Sequence, residues 1–75
     1  MKFSCSFVNR KTDERKSLVV TLTERERESV ESLRKHEGSV TADVTAQCYA
    51  LRHAYREIDP RSFHHVEPPH LIGVN

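Results

Sequence analysis

Glycine occurs only twice in this chain, at Gly38 and Gly73, and tryptophan is absent. Two isolated glycines cannot build a glycine-rich loop that cradles phosphates, which argues against P-loop and dinucleotide-binding chemistry. The two cysteines form no Cys-x-x-Cys pair, and the five histidines form no His-x-x-x-His pair. Zinc-site spacing is therefore missing, and Cys48 and His53 would lie about 140° apart on an ideal helix. No metal and no cofactor is expected. No apolar run approaches the roughly 20 residues a membrane-spanning helix needs, nor does the start of the chain, Met1 to Cys5, open a signal-peptide core. The reading is a cytosolic protein with reduced thiols, in which Cys5 and Cys48 both fall on core faces of regular elements.

Charge of one sign is lacking as well. Twelve Lys and Arg stand against eleven Asp and Glu, a formal net charge of +1. Such a balance gives no global field toward nucleic acid or an acidic membrane, so any electrostatic contact has to be local. Paired carboxylates occur only in a charge run at residues 24 to 28, with nothing to raise one pKa above another, and a Cys48-centred nucleophile would sit in the core. Enzymatic activity is the least supported class.

What is present fits one folded unit. Hydrophobic residues make up 36% and charged residues 31%, an ordinary globular profile. At 75 residues the core has to be thin, and association with a partner or a second copy is the usual remedy. Phe3, Cys5 and Phe7 alternate with serines, and Leu18, Val20 and Leu22 alternate with Ser17, Val19 and Thr21, the period of half-buried strands. Strands are expected at 3–8 and 17–22, paired as an antiparallel hairpin whose polar connection, residues 9–16, forms an exposed and mobile tip.

Thr23 and Glu26 have capping-box spacing, which starts a helix that Gly38 closes near residue 37. A second helix over 42–58 follows, capped by Thr41 and stopped by Asp59 and Pro60. Val44, Cys48, Leu51, Tyr55 and Ile58 line its expected core stripe, beside a small-residue stripe of Ala46, Ala50 and Ala54. The same stripe would suit a helix seam in a homodimer, so monomer and homodimer both stay open. Residues 59–75 read as an extended segment, with Pro68 and Pro69 leading into a possible short third strand or a docking arm. The fold class is α+β: an N-terminal antiparallel hairpin followed by two helices in a single domain.

From Ser17 to Glu57, the order of strand, capped helix, glycine turn and second helix resembles ribbon-helix-helix repressors. In that family the strands of two chains pair and their outward residues read the major groove. By position, the resemblance implies a DNA-binding dimer with Ser17, Val19 and Thr21 facing DNA. Val19, however, offers no bidentate contact to a base, and Lys16 is the only basic residue beside the reading positions.

In size, scarcity of motifs and dependence on a partner, the chain is also similar to small regulators that bacteriophages use to redirect host enzymes. That likeness implies a non-enzymatic inhibitor or modulator with a host transcription protein as its target. Partner contacts are then assigned to Arg10, Lys11, Arg15 and Lys16 around the hairpin tip, and to Phe63, His64, His65 and Leu71 in the C-terminal segment. Addition of a partner strand to a sheet edge is a further route.

Overall fold

A computed structural model describes residues 1–73; Val74 and Asn75, the end of the segment read as extended, lie outside them. The fold is α+β, in the order β1 (Lys2–Asn9), β2 (Arg15–Thr21), α1 (Glu24–His36), α2 (Ser39–Ala54), β3 (Phe63–His65) and β4 (His70–Gly73).

β1 is the central strand. One of its edges pairs antiparallel with β2, Cys5 opposite Leu18, as the alternation of the two segments predicts. Its other edge is taken end to end by two short strands, β3 opposite Phe7 to Asn9 and β4 opposite Lys2 to Ser4. The possible third strand is thus two strands, separated where Pro68 and Pro69 supply no N–H for a ladder. Phe3, Cys5 and Phe7 point into the core with Val20, while the opposite face of the sheet carries Ser4, Ser6, Ser17, Val19 and Thr21.

The capping box forms as the spacing requires. Thr23 Oγ1 accepts the Glu26 N–H at 3.1 Å, and Glu26 Oε1 accepts the Thr23 N–H at 2.8 Å. Val30 is the one fully buried residue of α1, with Leu33 half-buried beside it. Gly38 then turns the chain at φ +98°, a conformation suited to glycine, and its N–H reaches the Leu33 carbonyl at 3.1 Å.

The second helix departs from its sequence pattern in register and in face. It starts at Ser39, so Thr41 lies inside the first turn and Gly38 stands at the cap position with no side-chain bond. It also stops at Ala54, before Asp59 and Pro60. Arg56 N–H bonds the His53 carbonyl and Glu57 N–H the Ala54 carbonyl, tighter turns that end the regular ladder. Ala42, Ala46, Ala50 and Ala54 are its buried stripe, whereas Val44 is 53% exposed and Cys48 is exposed. Cys48 is accordingly corrected from the core to the surface. The reason is distance: α2 packs on α1 on one side and on β1 and β2 on another, and only side chains ending at Cβ let both approach. Leu51 and Tyr55 are half-buried at the margin, and Ile58 is buried in the following turn. Among the described residues no helix is long and apolar enough to cross a membrane.

Candidate partner-binding surface

The hairpin tip is a hydrogen-bonded turn rather than a loose loop. Asn9 closes it, its N–H bonding the Glu14 carbonyl at 2.8 Å while its Oδ1 accepts the N–H groups of Lys11 and Thr12. Such an Asx arrangement replaces ladder bonds that the turn cannot make. Asp13 takes a positive φ of 61°, which aspartate tolerates better than most residues.

A single long-range bond, from Arg10 N–H to the Ser62 carbonyl at 2.8 Å, brings this tip against the turn that follows α2. Between the two turns lies a concavity of about 480 Å³ lined by Arg10, Lys11, Thr12, Asp59, Arg61 and Ser62. Three cations face one carboxylate there. That carboxylate is already engaged: Asp59 accepts the Arg61 N–H at 2.9 Å and the Ser62 hydroxyl at 3.0 Å, which hold its carboxyl below the usual carboxylate range. The lining of the concavity therefore carries an excess of positive charge, reduced by Asp13 and Glu14 of the same turn, and a local excess of this kind steers an acidic surface into contact.

The residues assigned to partner contact from sequence are partly brought together. Arg10 and Lys11 line the concavity. Lys16 reaches across the sheet to place its Nζ 5.3 Å from the centre of the Phe63 ring, joining the two groups that the sequence keeps apart. Arg15 pairs with Val8, which also pairs with His64, so these three form one row on the face of the sheet away from the helices. His64 Nδ1 is buried with no hydrogen-bond partner, a condition that costs roughly 1–3 kcal/mol. His65 lies in the next row, where its Nδ1 is 3.0 Å from the Tyr55 hydroxyl and its N–H donates to the same oxygen at 3.3 Å. Leu71 pairs with Phe3 at the far end of β1 and is not part of this cluster.

Sequence reasoning missed Arg61, Asp59 and Ser62. Asp59 and Ser62 have the spacing of a side-chain-capped turn, a local signal, but their contact with the hairpin depends on the pairing of β3 with β1. Strand addition to a sheet edge was foreseen without a choice of edge; the structure leaves β2 an edge strand whose second side has no partner among the described residues. Ser17, Val19 and Thr21 are all exposed, with Val19 at 61%. Beside that edge, Val19, Val20 and Thr21 form a groove of about 310 Å³ with His53, Arg56 and Glu57.

Comparison of the chain with protein-family models, with curated proteins and with solved structures returned no match in any of the three.

Proposed function

We propose that this protein is a small, non-enzymatic regulator that acts by binding a macromolecular partner, with its basic end as the first point of contact. The observation that supports the reading is the bond from Arg10 to Ser62, which sets Arg10 and Lys11 beside Arg61 around one concavity. The partner it fits is a protein with an acidic surface. A host protein of the transcription machinery, bound by an inhibitor or modulator of the phage type, is the specific form of this reading.

The test is kinetic. Binding of the full chain to purified host RNA polymerase is measured at several salt concentrations, for the wild type and for Arg10→Glu combined with Lys11→Glu. Steering by the basic end predicts an association rate about tenfold lower in the variant and a dissociation rate changed far less. Equal association rates would remove the basic end from the proposal, and absence of binding would remove this partner.

A ribbon-helix-helix-like dimeric repressor is the second reading, and the unpaired side of β2 favours it. In that case light scattering gives a dimer, and affinity for duplex DNA falls steeply as salt rises.

A further inference from the structure

Hydrogen-bond direction along β1 determines what the open side of β2 offers. The Leu22 N–H bonds the Met1 carbonyl and the Asn9 N–H bonds the Glu14 carbonyl, so odd residues of β1 aim their main chain at β2. The Val66 N–H bonds the Ser6 carbonyl and the Arg10 N–H bonds the Ser62 carbonyl, so even residues aim the other way, toward β3. Antiparallel pairs alternate between bonded and non-bonded positions. With Cys5 opposite Leu18 and Phe3 opposite Val20, the β2 residues bonded to β1 are Lys16, Leu18 and Val20. The N–H and C=O groups of Ser17, Val19 and Thr21 point off the sheet.

The two edges of this sheet are guarded very differently. On the β3 and β4 side the strands have three and four residues, Pro68 and Pro69 interrupt them, and the register shifts beside Lys2. Short strands, prolines and bulges are the devices that keep an edge from recruiting another strand. The β2 side has none of them from Ser17 to Thr21, a run without charge, proline or glycine. Lys16 gives no protection either, since its ammonium is turned back over Phe63. The groove beside Val19 to Thr21 leaves space along the edge, and Arg56 stands on its helix side while Arg15 stands at the entrance to β2.

We propose that this edge is a peptide-docking site: an extended segment of a partner protein adds to the sheet alongside β2, bonded to the main chain of Ser17, Val19 and Thr21. The segment has an uncharged, β-branched stretch followed by acidic residues that meet Arg15 at the entrance to β2. Strand addition supplies affinity through main-chain bonds, and the charged end supplies register. A second copy of this chain fits less well on charge, because a two-fold ribbon of two β2 strands brings Arg15 and Arg56 of each copy together against Glu57 alone in each groove. The proposal rests on the reading that the protein works by binding a partner protein, and it adds the place and the chemistry of the bound segment.

A synthetic peptide tests the edge independently of any natural partner. The full chain is titrated with a blocked heptapeptide of alternating threonine and valine ending in two aspartates, and amide exchange is followed by NMR. At saturation the Ser17, Val19 and Thr21 amides slow about tenfold or more, while Leu18 and Val20, already bonded to β1, do not change. Val19→Pro removes the central outward donor without touching a β1 bond and abolishes binding. Because that variant can also disturb the strand, two further probes leave the ladder intact: Arg15→Glu weakens binding about tenfold, and N-methylation of the peptide on its β2-facing amides prevents it. Unchanged exchange of the Ser17, Val19 and Thr21 amides at the highest peptide concentration, or unchanged binding of the N-methylated peptide, would overturn the proposal. So would a dimer in light scattering whose Ser17, Val19 and Thr21 amides are protected without peptide, because a second copy would then hold the edge. Failure here leaves the rate test at Arg10 and Lys11 unaffected, so the two readings fail separately.

Discussion

His53 Nε2 lies 2.7 Å from Glu26 Oε1, the same oxygen that accepts the Thr23 N–H of the α1 capping box. One carboxylate therefore ties the start of α1 to the last turn of α2, in a setting where both side chains are about four-fifths shielded from solvent. Burial pushes the Glu26 carboxyl up, but the hydrogen bonds from His53 and Thr23 outweigh it and leave the group below the usual carboxylate range.

The sign of the pH dependence follows. A carboxyl with a lowered folded pKa contributes stability above its unfolded value of about 4.3 and loses it as pH falls through the folded value. Urea midpoints of the wild type should drop on acidification below about pH 4.3, and Glu26→Gln should flatten that drop. The same variant keeps an oxygen for the Thr23 N–H but removes the carboxylate charge from its bonds to Thr23 and His53, which should cost about 1 kcal/mol near neutral pH. An acid limb of equal steepness in both proteins would show that Glu26 is not a source of it.

Tyr55 anchors β3 from the end of α2. Its ring meets Phe7 edge to face with centres 5.3 Å apart, and its hydroxyl serves both the ring and the N–H of His65. Tyr55→Phe keeps the ring contact and removes only the oxygen. Chemical denaturation should show a loss of about 1–2 kcal/mol, and the His65 amide should exchange faster while α2 amides keep their protection. Unchanged exchange at His65 would mean that β3 is held by β1 alone.

Alanine, rather than the larger apolar residues, marks the tight face of α2. Ala50 is fully buried, so Ala50→Leu should cost roughly 1–3 kcal/mol by overpacking. Leu51 is only half-buried, so Leu51→Ala should cost about 1–2 kcal/mol, less than a fully buried leucine. Thermal melts of the two variants read this directly, and free tolerance of leucine at position 50 would contradict the close approach of α1 and the sheet.

The two thiols should differ sharply in reactivity. Cys48 is exposed on α2, whereas Cys5 is buried in β1 and burial pushes its thiol pKa up. A chromogenic disulfide reagent should titrate one thiol promptly in the native protein and the second only in denaturant. Cys48→Ser should abolish the fast reaction, and two fast thiols would mean that β1 opens readily.

The local features of this fold were legible in the sequence because each depends on residues close together in the chain. Phe3, Cys5 and Phe7 alternate with serines, so half-burial of β1 follows from a period of two. Thr23 and Glu26 sit three apart, so the α1 cap is a matter of spacing. The face that α2 buries was legible in part: the stripe of Ala46, Ala50 and Ala54 reads as widening the buried face, but hydrophobic size put Val44 and Cys48 in the core stripe while the available space favoured alanine. The candidate site was legible only in its parts: Arg10, Lys11 and Lys16 were visible as cations, and Phe63 as an anchor.

By itself the sequence determined the types of the first four elements, the α+β class, the pairing of β1 with β2 and the charge of the hairpin tip. Only the tertiary structure decided which stripe of α2 is inside, which edge of the sheet stays open and which cations share a concavity. Periodicity and capping act over a few residues, whereas inter-element distance and strand order are set by contacts between segments dozens of positions apart. The bond from Arg10 to Ser62 is of that second kind, and so is the main-chain direction that leaves Ser17, Val19 and Thr21 facing outward.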